Sequence, residues 1–170
     1  VGTYREDGRR FKENREISIK MGVIKESSGS CLFTLGETKV VSWILGPSET
    51  KSKCPDNSGI IKCFFNQAPF SGNLHKVSQK QDIKMREFSQ VIKNIFNQVI
   101  LLDKYKKSEI DINVLVLQND GNFKSASINA VSLALINAGI FIKDSVVSIN
   151  VGYLDDSVIE NGISNDQSIL

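Results

Sequence analysis

The chain has 170 residues, 41% of them hydrophobic and 24% charged, the make-up of one soluble globular domain. A net charge of +2 is too small to establish a nucleic-acid partner, no apolar run approaches the ~20 residues of a membrane span, and one histidine argues against a histidine metal centre or a Ser-His-Asp triad. Cys31, Cys54 and Cys63 are odd in number and lack a Cys-x-x-Cys spacing. They imply neither a disulfide framework nor a zinc site, and with the polar opening VGTYREDGRR they read as an intracellular, reducing context.

In chain order, residues 1–15 are polar and charged and read as an extended arm. Ile17–Ile24, Cys31–Leu35, Lys39–Leu45 and Ile60–Phe65 are strand candidates, separated by turn signals at Ser27-Ser28-Gly29-Ser30, Gly36-Glu37 and Gly46-Pro47-Ser48. The Gly36-Glu37 pair predicts a hairpin, and strands in series predict a mostly antiparallel sheet. Trp43, inside an apolar strand, is expected in the core. Phe88, Val91, Ile92, Ile95, Phe96, Val99 and Ile100 then follow helical spacing, with Gln90, Lys93, Asn94 and Asn97 off the apolar stripe. Ile110–Leu117 returns as a strand. A second helix over Ser125–Ala138 is apolar on most sides and should be buried, with Gly139 as the residue that ends it. Val146–Val151 reads as one more strand. Strands, helix, strand, helix, strand is an α+β order, a sheet with helices packed on one face.

Two features suggest chemistry. Between Leu115 and Ile140 an apolar strand ends in Asn119-Asp120-Gly121-Asn122 and feeds a helix whose start carries Lys124, Ser125 and Ser127. A helix start presents unpaired N–H groups and about half a positive charge, so it attracts phosphate. Glycine lets a loop approach a ligand, and Lys124 adds a full charge. Charge is also uneven along the chain. His75, Lys76, Lys80, Lys84 and Arg86 cluster against one acid, Asp82, whereas residues 154–170 carry Asp155, Asp156, Glu160 and Asp166 without a Lys or Arg. A polyanion over one part of the surface fits this asymmetry, and so does a solvated loop with an acidic tail.

Several short motifs, in order, resemble those of the RNase PH family. Arg5-Glu6-Asp7-Gly8-Arg9 with Glu13-Asn14-Arg15 is similar to its opening R-x-D-G-R segment. Met21-Gly22-Val23, Gly29-Ser30-Cys31, Leu35-Gly36-Glu37-Thr38-Lys39-Val40 and Leu45-Gly46-Pro47 resemble its G-S…G-x-T-K-V…G-P succession, and Ala68-Pro69-Phe70-Ser71 its A-P-F-S segment. Ile110-Asp111-Ile112, Leu117-Gln118 with Asp120-Gly121, and Ala138-Gly139-Ile140 complete the match, which runs from residue 4 to about residue 155. The segment Ser89-Gln90-Val91-Ile92-Lys93 is most similar to ring subunits of the exosome, of the type equivalent to the catalytic archaeal subunit.

The resemblance implies a single RNase PH-like (ribosomal protein S5 domain 2-like) domain over 1–170, with a mixed sheet and the C-terminal part of the family domain absent. Active members are phosphorolytic 3′→5′ exoribonucleases: inorganic phosphate attacks the terminal phosphodiester and a nucleoside diphosphate leaves. No cofactor is implied, and phosphate is a co-substrate only in active members. The implied partners are paralogous PH-like subunits in a six-membered hetero-oligomeric ring, single-stranded RNA, S1/KH-type cap proteins and an associated nuclease, with no membrane. The implied location is nucleus or nucleolus and cytoplasm.

At the sites, the chain departs from the family pattern. Phe123 stands where the phosphate clamp has a hydroxyl residue, and Lys124 where it has arginine. Lys93 is the position matched to a helix arginine that contacts phosphate. Lysine keeps the charge and loses the planar fork. Counting from Val151-Gly152, the acidic pair falls on Asn161 and Gln167, with Asp166 adjacent, and an amide cannot act as an ionised carboxylate. The expectation is therefore a catalytically degenerate ring subunit, with Lys76, Lys80, Lys84 and Arg86 beside the RNA path and Lys93 and Lys124 on backbone phosphates. The alternatives are a working exoribonuclease, its acid supplied by Glu160 or Asp166, and an assembly subunit that touches no RNA.

Overall fold

In the computed structural model, residues 9–10, 13–49, 58–72, 83–154 and 157–160 are described. Along the inner strands one alternate set of residues is mostly apolar, and that set defines one face of a sheet. Its apolar members are Cys31, Phe33 and Leu35 of β2 (Gly29–Leu35), Val40 and Ile44 of β3 (Thr38–Glu49), and Ile110, Ile112, Val114 and Val116 of β5 (Ser108–Gln118), all buried. With β1 (Ile17–Met21) and β4 (Ile60–Gln67), the strand order is β1-β2-β3-β5-β4. The hairpin forms at Gly36-Glu37, with Leu35 opposite Thr38.

Three of the pairings are antiparallel, as anticipated. The fourth is not: β4 runs parallel to β5, from Ile60 opposite Glu109 to Gln67 opposite Val116. A parallel neighbour needs a long crossover, which contains α1 (Ile83–Val99). This helix starts before the expected Phe88. It buries Ser89, Ile92 and Phe96, and the Ser89 hydroxyl donates to the Cys63 carbonyl at 2.5 Å.

The second helix, α2 (Phe123–Asn137), packs on β2, β3 and β5 while α1 packs on β4, and both share one apolar core with the sheet. Ser42 ties sheet to helix by donating to the Ala130 carbonyl at 2.7 Å. At the helix end, the Gly139 N–H donates to Ile136 and the Ile140 N–H to Leu135, with Gly139 at φ 67°. That is a Schellman ending, and Ile140 is buried beneath it. Gly29 of β2 lies under the same turn. A Cβ there would sit 2.3 Å from the Ala138 nitrogen and 2.6 Å from the Ala134 oxygen, so no larger residue fits without moving backbone.

Two sequence expectations fail. The expected strand over Val146–Val151 is irregular through residue 150, because α2 takes its hydrogen bonds. The Val146 N–H donates to the Ser132 hydroxyl, and Asn129 both accepts from and donates to the Ser148 backbone. Strand geometry begins only with β6 (Val151–Leu154), which pairs with β7 (Ser157–Glu160). Trp43 is not in the core cluster. It stands half-buried on the opposite face of the sheet, because it falls out of phase with Val40, Ser42 and Ile44.

On that opposite face Lys62 pairs with Glu109, while one Asp111 carboxylate oxygen is buried with no hydrogen-bond partner among the described residues. Burial, with the like charge of Glu109, pushes the Asp111 carboxyl above its usual range, and Lys62 offsets part of this. The Cys31 and Cys63 thiols are pushed up to about 11, chiefly by burial.

Gly29→Ala is expected to destabilise the fold by about 1–3 kcal/mol, the usual cost of overpacking, read as a lower urea midpoint at unchanged m-value. For Asp111 the folded pKa is raised, so charging it costs stability above that pKa, and the cost fades as pH falls through it toward the ordinary value. Asp111→Asn should therefore raise Tm at pH 7 by about 1–3 °C. The gap should narrow between pH 7 and pH 4, and a gap that widens on acidification would contradict this account.

Candidate functional site

β5 ends at Gln118, and the loop after it is braced from three directions. The Asn119 N–H donates to the Ser71 carbonyl at 2.7 Å, joining the loop to the segment that follows β4. The Thr38 hydroxyl donates to the Gly121 carbonyl at 2.7 Å and accepts from the Asp120 N–H at 3.0 Å. Arg15, buried, reaches across from before β1 and donates to the Asp120 carbonyl at 2.6 Å and to its carboxylate at 3.1 Å. Within the loop the Gly121 N–H donates to Asn119 Oδ1 at 3.1 Å, and Asn122 takes a left-handed conformation with φ 59° and ψ 18°. The Ser71 hydroxyl is buried here with no hydrogen-bond partner among the described residues.

The loop delivers the chain into α2 with no side-chain cap. Asn122 Oδ1 instead accepts from Asn150 Nδ2 at 2.6 Å. Among the described residues no side chain caps the first-turn N–H groups, and Lys124 in that turn is exposed. Phe123 turns inward. Its ring stacks on Phe65 of β4 (centroids 6.1 Å apart, planes at 27°) and meets Phe88 of α1 edge-on at 6.2 Å and 76°. Phe65 and Phe88 meet at 4.9 Å and 87°. The three rings close the junction of β4, α1 and α2, so the clamp position expected to lack its hydroxyl is occupied by a core side chain.

The basic residues of α1 divide between two of its faces. Phe88 faces Phe123, and Lys84, one turn earlier, lies on that side of α1. Arg86 and Lys93 instead line a cleft of about 500 Å³ with Ser89, Lys62, Cys63 and Phe64. Of the phosphate candidates Lys93, Phe123 and Lys124, Lys93 alone lines this cleft. His75, Lys76 and Lys80 lie outside the described residues, as do Asn161, Asp166 and Gln167. A second cleft, of about 550 Å³, lies at the end of β5 with Glu37, Lys39, Phe70, Ser71 and Asp120 on its walls. Among the described residues no His/Cys/Asp/Glu group is arranged to hold a metal, and no helix is long and apolar enough to cross a membrane.

The brace by Arg15 and Thr38 was not assigned a role from sequence, although both lie in motifs that carried the family resemblance. Lys62 and Phe64 were missed altogether, because nothing in an alternating strand marks which residue will rim a cleft.

Residues 13–141 match the 3′ exoribonuclease family, domain 1. The chain belongs to the RNase PH family. It is 39% identical over 154 residues to the exosome complex component RRP41 homolog of Arabidopsis thaliana, covering 89% of this chain and 64% of the relative. It is also 34% identical over 161 residues to exosome complex component Rrp41 of Pyrobaculum neutrophilum, covering 93% and 65%. The chain thus spans just under two thirds of these relatives. Among solved structures it superimposes on rice (Oryza sativa) Rrp46 with a TM-score of 0.85 at 24% identity, over 97% of this chain and 75% of that one. The Archaeoglobus fulgidus exosome with RNA bound to its active site gives 0.78 at 23% identity, over 94% and 71%. These likenesses establish the RNase PH-like fold, a mixed sheet with two helices, that the motifs implied.

Arg15→Ala removes a buried guanidinium that holds the loop through charge-assisted hydrogen bonds, and should cost about 2 kcal/mol. Amide exchange should accelerate at Asp120 and Gly121 before it does at Val131 in the middle of α2. Uniform acceleration across the domain would show that Arg15 braces the whole fold rather than the loop.

Proposed function

We propose that this chain is a ring subunit of an RNA exosome that contacts RNA and is catalytically degenerate. The observation that carries the reading is Phe123. Its ring is committed to the core between Phe65 and Phe88, so it supplies no hydroxyl to a phosphate, and Lys124 remains as a point charge without an arginine fork. The identity to exosome components supports the assembly part of the proposal. In it, paralogous PH-like subunits complete a six-membered ring, S1/KH-type cap proteins cover one end, and an associated nuclease cuts the RNA, in the nucleus or nucleolus and the cytoplasm. Lys84 and Arg86, with His75, Lys76 and Lys80 of the preceding segment, guide single-stranded RNA by charge, a contact that weakens with salt and ignores sequence. No cofactor takes part.

One observation favours an active phosphorolytic exoribonuclease: among the described residues no side chain caps the start of α2, and Lys124 stands in its first turn. Such a site can still bind phosphate.

The test is release of labelled ADP from oligoadenylate, with and without phosphate, by this chain assembled with its PH-like partners. We expect no phosphate-dependent ADP, with the oligomer bound, and weaker RNA crosslinking after Lys80→Glu/Lys84→Glu. Phosphate-dependent ADP that disappears in Lys124→Ala would instead establish the enzyme. Crosslinking unchanged by the double charge reversal would remove these lysines from the RNA path.

A further inference from the structure

Among the described residues β4 is an edge strand, with no strand neighbour on the side away from β5, and the cleft described above follows that edge. One wall is α1, where Arg86, Ser89 and Lys93 recur at helical spacing. The other is β4 itself, where Lys62 and Phe64 point away from the core-facing Ile61 and Phe65. Lys62 is already paired with Glu109. Among the described residues no carboxylate pairs with Arg86 or Lys93, so the unneutralised charge of the cleft lies on the α1 wall. Phe64 is 45% exposed beside it, an aromatic face with no ring partner among the described residues.

Cations alone would suit any anion. Cations next to an open aromatic ring, in a cleft of about 500 Å³, suit a phosphate that carries a planar base. We infer that this edge cleft is a subsite for one nucleotide of a single-stranded RNA, with Arg86 and Lys93 on its phosphate and Phe64 stacked on its base. The inference rests on the RNA-contacting reading above and adds a place apart from the start of α2, since neither Phe123 nor Lys124 lines the cleft. The Ser89 hydroxyl, held on the Cys63 carbonyl, fixes the spacing between the two walls.

The experiment uses the chain assembled with its PH-like partners and two fluorescent strands of equal length, a short oligoadenylate and its abasic analogue. Phe64 and Arg86 are exposed and Lys93 is half-exposed, so their variants should keep the fold, which unchanged Tm verifies. Phe64→Ala should weaken oligoadenylate binding at least about fivefold, the lower end of base–aromatic stacking, and leave the abasic strand unaffected. Phe64→Tyr should restore it. Arg86→Ala/Lys93→Ala should weaken both strands and lower the salt slope by about 1.4, two contacts at about 0.7 each. If the assembly binds oligoadenylate and Phe64→Ala changes it less than about twofold, or changes both strands equally, the subsite is wrong and the RNA reading stands. If the wild-type assembly binds neither strand, both fail. Displacement of oligoadenylate by an acidic peptide that needs Arg86 and Lys93 but not Phe64 would overturn the subsite in favour of a protein partner.

Discussion

Parallel pairing of β4 with β5 is the constraint on which the site depends. Parallel neighbours share direction, so their C-terminal ends lie side by side, and the chain must travel back the length of the sheet between them. The return path contains α1. The shared end brings Ala68–Ser71 against Asn119, with the Ala68 N–H on the Val116 carbonyl and the Asn119 N–H on the Ser71 carbonyl. Two motifs about fifty residues apart in sequence thus meet at one end of the sheet. Ligand sites collect at such carboxyl ends because the strands are rigid and the loops beyond them are free to specialise.

At that end Phe123 serves packing. Phe123 contributes area to the junction of β4, α1 and α2, and aromatic pairs of this geometry add about 0.5–1.5 kcal/mol beyond the area they bury. A hydroxyl residue in its place would leave Phe65 and Phe88 without their third ring. The loop before it is held by Arg15, Thr38 and the Asn119 N–H.

Periodicity made much of this legible. The apolar α2 with Gly139 after it and the alternation in β2, β3 and β5 led to the right elements, and the ordered short motifs led to the right family. The failures share a cause, which is that periodicity carries no information about neighbours. Alternation looks the same in parallel and antiparallel strands, so the direction of β4 was hidden. Val146–Val151 alternates acceptably, but Asn129 and Ser132 compete for its backbone groups. Trp43 is apolar, yet one step in register puts it on the outer face. Lys93 and Lys84 are both polar residues of an amphipathic helix, and only the contact between Phe88 and Phe123 shows which of the two shares a side with the α2 start.

Gly29 bears on the mechanics of that start. The fifteen residues of α2 make a rod about 22 Å long. At its C-terminal end the rod rests backbone to backbone on Gly29, with no side chain between to be compressed or to change rotamer. Its middle is tied to the sheet through Ser42 and Ala130, and the loop before it is braced by Arg15 and Thr38. The rod is thus pinned along its length, and a shift of about 1 Å at Lys124 would need a tilt of about 3° that the Gly29 contact, with no side chain to yield, resists.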